Sequence, residues 1–152
     1  MASGVSMFVS EYVNGMKDRT KTILCAIDFS ESSIHALRWA VEIAVLLEAH
    51  LTIVYPYRLI HTGNGGEVVR MKKAIEEEAI RNFAPLEKDI LIGASLSYDF
   101  SPEVGFISDR VRDHARKQAL SFLVIGRMAG EGSSEVMRDL VDGIGVPMVV
   151  VP

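Results

Sequence analysis

The stretch Lys21-Thr22-Ile23-Leu24-Cys25-Ala26-Ile27-Asp28-Phe29-Ser30 decides the fold of this chain. Residues 22–27 form a short apolar run without polar alternation, which suits a strand covered on both faces. Asp28 breaks the run, and Ser30 stands where a helix N-cap is favoured. Beyond it Ile34, Leu37, Val41, Ala44 and Leu47 recur at helical spacing. A buried strand therefore feeds an amphipathic helix.

The same alternation repeats outward. Residues 51–55 read as a second strand stopped by Pro56, which cannot donate to a ladder. A turn-like segment from His61 to Gly66 precedes a charged helix with Val68, Met71, Ile75 and Ala79 on one stripe. Its Lys72 and Lys73 face Glu76 and Glu77 at helical spacing, and Pro85 closes it. Residues 89–95 read as the third strand. Ser101, Pro102 and Glu103 read as the N-cap, first-turn proline and first-turn acid of a helix carrying Val104, Ile107, Val111 and Ala115. Residues 122–125 are the fourth strand, ended by Gly126, and a small-residue loop leads into a helix holding Val136, Leu140 and Val141. Residues 146–151 form the last strand, where Pro147 fits an edge position. These runs predict an α/β domain: a parallel sheet between two helical layers.

Composition narrows the partners. The chain has 152 residues, which fits one domain, and 49% of them are hydrophobic, too many for a disordered chain. A formal net charge of -4 offers no broad positive field, so neither nucleic acid nor an acidic membrane surface is expected. No apolar run is long enough to span a bilayer. The first twenty residues lack a basic start followed by a long apolar run, so a cytoplasmic location is expected. Residues 1–20 read as an N-terminal extension, either packed on a partner or a tail without a role, and residues 21–152 as the domain. The single cysteine, Cys25, excludes an intrachain disulfide and sits as a small hydrophobe inside the first strand.

Open parallel sheets bind ligands beyond the carboxyl ends of their strands, where strand order reverses. That rule selects Asp28-Phe29-Ser30, Tyr55-Pro56-Tyr57 and the loop from Gly126 to Ser134. Asp28 either caps the following helix or accepts from a ligand hydroxyl, and both hold at once if Ser30 is the cap. Gly126, Gly130 and Gly132 allow successive N–H groups to converge on an anion, Ser133 and Ser134 add hydroxyls, and Arg127 can pair with phosphate. The competing reading is a flexible turn with a serine cap. The loop is not a P-loop, since it lacks Gly-Lys-Ser/Thr, and Glu131 and Glu135 place negative charge beside it. His35, His50, His61 and His114 show no compact ligand spacing, so no metal centre is expected. No nucleophile has a neighbouring base, so no catalytic residue is expected either.

The chain resembles the universal stress protein family over residues 20–152. The resemblance rests on Lys21 through Ser30, Ala36-Leu37 with Ala40, Leu51-Thr52-Ile53-Val54-Tyr55, the stretch from Ala115 through Phe122 to Gly126, and Val146-Pro147-Met148-Val149-Val150-Val151. It implies a five-stranded parallel sheet of strand order 3-2-1-4-5, of the adenine nucleotide alpha hydrolase-like kind. It also implies homodimers joined through the last strand, and protein partners. In one branch of the family ATP is bound with magnesium. The aspartate matched here by Asp28 then lies by the ribose and metal, the end of the second strand (Tyr55 or Pro56) offers backbone groups to adenine, and the loop after the fourth strand wraps the phosphates. This chain departs from that loop pattern: Ala129 takes the place of the second glycine, Gly130 is displaced by one, and Gly132-Ser133 follows without the long spacer. The expectation is a dimeric regulatory or interaction protein of the stress response with weak or absent ATP binding. The alternative is an ATP- or AMP-binding member with at most slow hydrolysis.

Overall fold

The structure is a computed structural model that describes residues 21–60 and 63–152. The expected extension over residues 1–20, and His61 with Thr62 of the expected turn, lie outside the described residues. The elements are β1 (Thr22–Ala26), α1 (Glu31–Leu47), β2 (His50–Tyr57), α2 (Gly65–Leu86), β3 (Tyr98–Val104), α3 (Ile107–Lys117), β4 (Leu120–Gly126), α4 (Ser133–Ile144) and β5 (Met148–Val151). The five strands form one parallel sheet in the order β3-β2-β1-β4-β5.

The central position of β1 follows from its composition. All five of its residues are buried, because helices cover both faces. Ile23, Cys25 and Ile27 pack into one core with Leu37, Ala40 and Ala44 of α1 and Phe83 of α2. Leu24 and Ala26 pack into the other with Val111 of α3 and Leu140 of α4. Burial pushes the Cys25 thiol up to about 12, so it is inert as a nucleophile. No described helix is long and apolar enough to cross a membrane.

Helix α1 starts as its sequence implies. Ser30 is extended (φ -71, ψ 159) and its hydroxyl accepts from the Ser33 N–H at 3.3 Å, a side-chain N-cap. The helix stops where Glu48 turns left-handed and the Ala49 N–H closes onto the Ala44 carbonyl at 2.9 Å. Helix α2 begins earlier than expected: Asn64 caps it, so Gly65 and Gly66 belong to its first turn.

Three sequence expectations fail around β3. Residues 89–95 are not a strand; the helical path continues past Pro85 to Leu86 and then widens into a π-helical turn, Glu87–Leu91. Pro85 has no N–H to return to the preceding turn, and the ladder widens to Ile92 N–H on Glu87 carbonyl at 3.0 Å just after it. Only Leu91 of this apolar run is buried, whereas Ile92 is exposed, a helical distribution that a short run cannot reveal. The residues read as a helix start, Ser101, Pro102 and Glu103, lie inside β3. This is an edge strand, so it tolerates a proline and alternates apolar with polar residues. Its Tyr98 and Phe100 pack on the core and Asp99 and Glu103 hydrogen-bond to His50 and His114.

Pro56 does not stop β2, which runs on to Tyr57. The His50 N–H donates to Lys21 on the β1 side and the Leu51 N–H to Ser97 on the β3 side, so even-numbered residues of β2 face β1. The last bond to that side is from the Ile27 N–H to the Val54 carbonyl, at 2.9 Å. Pro56 faces a side where β1 has already ended, and its missing N–H costs no ladder bond.

Candidate functional site

The reversal in strand order falls between β1 and β4. From β1 the chain moves to β2 on one side; from β4 it moves to β5 on the other. The connections part at the carboxyl ends and leave a crevice. A cleft of about 280 Å³ opens there, floored by Ala26, Ile27 and Ile125 and walled by Asp28, Pro56 and Phe106. It continues into an outer lobe of about 500 Å³ that shares Asp28, Ser30, Ser32, Arg127 and Met128 and extends to Glu131, Gly132 and Ser133.

Asp28 is held at the junction of the two lobes. Its Oδ1 accepts the Ser30 N–H at 2.9 Å, and its own N–H donates to the Ser33 hydroxyl at 3.2 Å. Partial desolvation would raise the carboxyl, but hydrogen bonding at the start of α1, where the Ser30 N–H donates to Oδ1, outweighs it. The net effect holds Asp28 below the ordinary carboxylate range, ionised at neutral pH. Ser30 is thus the cap and Asp28 is turned to the cleft, and the two roles coexist. The next residue, Phe29, is left-handed at φ 64, a strained conformation for a residue with a large side chain. Its ring packs edge-on to Tyr55 at 5.0 Å and to Phe100 at 6.4 Å on the sheet face that α1 and α2 cover. That step sends Asp28 into the cleft and anchors the loop on the opposite side.

The second wall comes from β4. A Cβ on Gly126 would lie 2.5 Å from the Ser32 carbonyl oxygen and 2.8 Å from the Ser33 nitrogen, so α1's first turn crosses Gly126 at a distance only glycine allows. The Ser32 hydroxyl donates to the Arg127 carbonyl at 3.0 Å and ties the two loops together. After Arg127 the chain reaches α4 in a few residues, with Gly130 (φ 100) and Gly132 (φ 79) in conformations that disfavour side chains. Helix α4 begins at Ser133 without a side-chain cap.

Of the residues singled out in the sequence, Asp28, Pro56, Gly126 and Arg127 line the cleft, and Gly132 and Ser133 line its outer lobe. Gly130 shapes the loop without lining either lobe, and Ser134 is exposed on the first turn of α4. Tyr55 is elsewhere: its ring lines a separate cavity with Phe29 and Ala79 on the other face of the sheet. Pro56 meets the cleft on its β1-facing side. Sequence reasoning missed Ser32, Arg58, Gly105 and Phe106. The last two follow β3, and a misplaced third strand hid its carboxyl end. Among the described residues no group of three histidine, cysteine, aspartate or glutamate side chains is arranged to hold a metal ion.

The family model described as the universal stress protein family matches residues 19–152, almost the whole chain and all of the sheet. The chain belongs to the universal stress protein family. Solved members share its fold at low identity. The universal stress protein UspA from Lactobacillus plantarum is 19% identical with a TM-score of 0.73, over 88% of this chain and 99% of that one. A universal stress protein in complex with cAMP is 20% identical with a TM-score of 0.61, over 87% of this chain and 97% of that one. A family protein from Arabidopsis thaliana with AMP bound is 17% identical with a TM-score of 0.57, over 88% and 91%. None of the curated proteins compared with the chain matches it.

Proposed function

We propose that this chain is an adenine-nucleotide-binding universal stress protein that reads AMP or ATP and has at most slow ATP hydrolysis. The observation that carries the reading is the cleft itself, where Asp28 and the loop after β4 are joined by the Ser32–Arg127 hydrogen bond at the switch point. The apolar floor of the inner cleft suits a base, and Pro56 presents its carbonyl to a side where β1 has ended. The ionised Asp28 carboxylate accepts from ribose hydroxyls, and Arg127, Gly132 and Ser133 border the space for phosphate, with Gly130 and Ser134 completing the loop. Solved relatives with cAMP, dAMP and AMP bound support the same ligand class.

Binding is favoured over turnover. Among the described residues Asp28 is the one carboxylate of the inner cleft, and a carboxyl held below its ordinary range is a weak general base. Among the described residues Arg127 is the one cation of the outer lobe against Asp28 and Glu131, so a triphosphate would enter with magnesium to offset its charge. Asp28 and Glu131 are the carboxylates placed to meet that ion, which would supply charge neutralisation.

A dimeric regulatory role rests on a second observation. β5 is a short, valine-rich edge strand, and Val150 is exposed on it. An unpaired edge of this kind pairs readily with a second copy. Sedimentation that returns a monomer mass at tens of micromolar would remove this part of the reading. Calorimetry of nucleotide-stripped protein tests the rest. AMP, cAMP and ATP with magnesium should include at least one ligand tighter than about 1 mM, roughly -4 kcal/mol. Silence from all three at that level would refute nucleotide binding.

A further inference from the structure

We propose that Phe106 is the stacking platform for the base, with Arg58 bracing one face of the ring, and that this pair makes the cleft select aromatic ligands. The inference rests on the nucleotide reading of the cleft. It begins with a residue in the wrong place for local stability. Phe106 occupies the N-cap position of α3, extended at φ -72 and ψ 148, and makes no side-chain cap bond. Serine, threonine, aspartate or asparagine would stabilise that position better, so phenylalanine is not there for the helix. Nor is it there for the core, since it is 55% exposed while Ile107 and Val111 beside it pack inward. A local rule broken without a packing gain marks a functional position.

The surroundings hold this ring still. Gly105 sits at φ 136, and its N–H donates to the Tyr57 carbonyl at 2.8 Å, which clamps the end of β3 to the end of β2. The Arg58 guanidinium carbon lies 4.7 Å from the Phe106 ring centroid, a cation–π contact that covers one face. Phe106 and Arg58 both line the cleft, together with Ala26, Ile27 and Ile125. A purine in the cleft stacks on the face of the Phe106 ring that Arg58 leaves open. The ribose then falls toward Asp28 and the phosphate toward Arg127, the order in which the two lobes are joined.

The test uses the full chain, AMP, and ribose 5-phosphate, which has no base. Phe106→Ala should weaken AMP about tenfold, the scale of losing one base–aromatic stack, and leave ribose 5-phosphate unchanged. Phe106→Tyr should restore AMP affinity. Phe106→Trp adds an indole at the platform; its emission should be quenched by AMP, while wild-type protein, whose sole tryptophan Trp39 lies on α1 outside the cleft, should not respond. Unchanged AMP affinity in Phe106→Ala, equal weakening of both ligands, or no quenching in Phe106→Trp would each overturn the proposal. Wild-type protein that binds no AMP would instead remove the nucleotide reading beneath it.

Discussion

Replacing Gly126 by alanine tests the closest contact in the site. The new Cβ would stand 2.5 Å from the Ser32 carbonyl oxygen, 2.6 Å from its carbon and 2.8 Å from the Ser33 nitrogen. All three are backbone atoms of α1's first turn, so no side-chain rotation relieves the clash. Reaching an ordinary contact of 3.4 Å requires the turn to retreat by about 0.9 Å from the Ser32 oxygen. Overpacking of this kind costs about 1–3 kcal/mol. Losing the Ser32–Arg127 hydrogen bond adds about 1 kcal/mol. The lower chain entropy of alanine in the unfolded state returns about 0.5–1 kcal/mol. The net loss is about 1–3 kcal/mol, or roughly 3–10 °C in Tm for a chain of this length. Urea and thermal unfolding followed by circular dichroism should show it. Gly93→Ala is the control: no atom lies within 4 Å of its added Cβ, and its stability should stay within about 0.5 kcal/mol of wild type. Equal stability of the two variants would refute the close approach of α1 to β4.

Other expectations follow from the same geometry. Ser30→Ala removes the N-cap of α1 and should cost about 1 kcal/mol in urea unfolding, and a loss below about 0.3 kcal/mol would show that the cap is not supporting the helix. Cys25 has a thiol raised from 9.0 to about 12, so its contribution is complete below pH 9 and lost as pH rises toward 12, where the unfolded chain has already released its proton. Wild type should therefore lose about 2 kcal/mol more than Cys25→Ala between pH 9 and pH 10.5, and parallel pH curves would contradict the burial. Asp28 runs the other way: its carboxyl is lowered in the folded state, so its contribution is present above 3.8 and lost as pH falls below it. Asp28→Asn should flatten the acid limb of the stability curve and weaken AMP in calorimetry; unchanged affinity would take Asp28 out of the site.

What the sequence could show depended on how many sides of each element are buried. β1 is covered on both faces and flanked on both edges, so every residue is buried, all but Thr22 are apolar, and the run is unmistakable. β3 has one open edge and a mixed face, and its Tyr98-Asp99-Phe100-Ser101-Pro102 pattern resembles a loop before a helix. The apolar run at 90–92 attracted the strand assignment instead, because three residues cannot separate a helical turn from a strand. The site inherited both outcomes. Asp28 and the loop after Gly126 follow the two central strands directly, so finding those strands also found them. Tyr55 is a candidate for its backbone groups at the end of β2, and strand parity turns its ring to the other face of the sheet. Phe106 and Arg58 carry no motif, and nothing short of the correct end of β3 brings them together.

The short loop after β4 is what tilts the sequence toward a reading of weak nucleotide binding. Judged by the loop after β4 alone, the site looks thin: Arg127 is its one cation among the described residues, and Glu131 stands against it. The ends of β2 and β3 bring Phe106 and Arg58 into the same cleft as Ala26, Ile27 and Ile125. A short loop limits the contacts available to a chain of phosphates but takes nothing from the base. Affinity in such a cleft should therefore follow the base more than the number of phosphates. On that reasoning AMP should bind at least as tightly as ATP in the absence of magnesium, where the carboxylates of Asp28 and Glu131 oppose each added phosphate. An ATP affinity that exceeds that of AMP tenfold without a divalent cation would mean that the loop after β4 grips phosphates in a way its length and charge do not suggest.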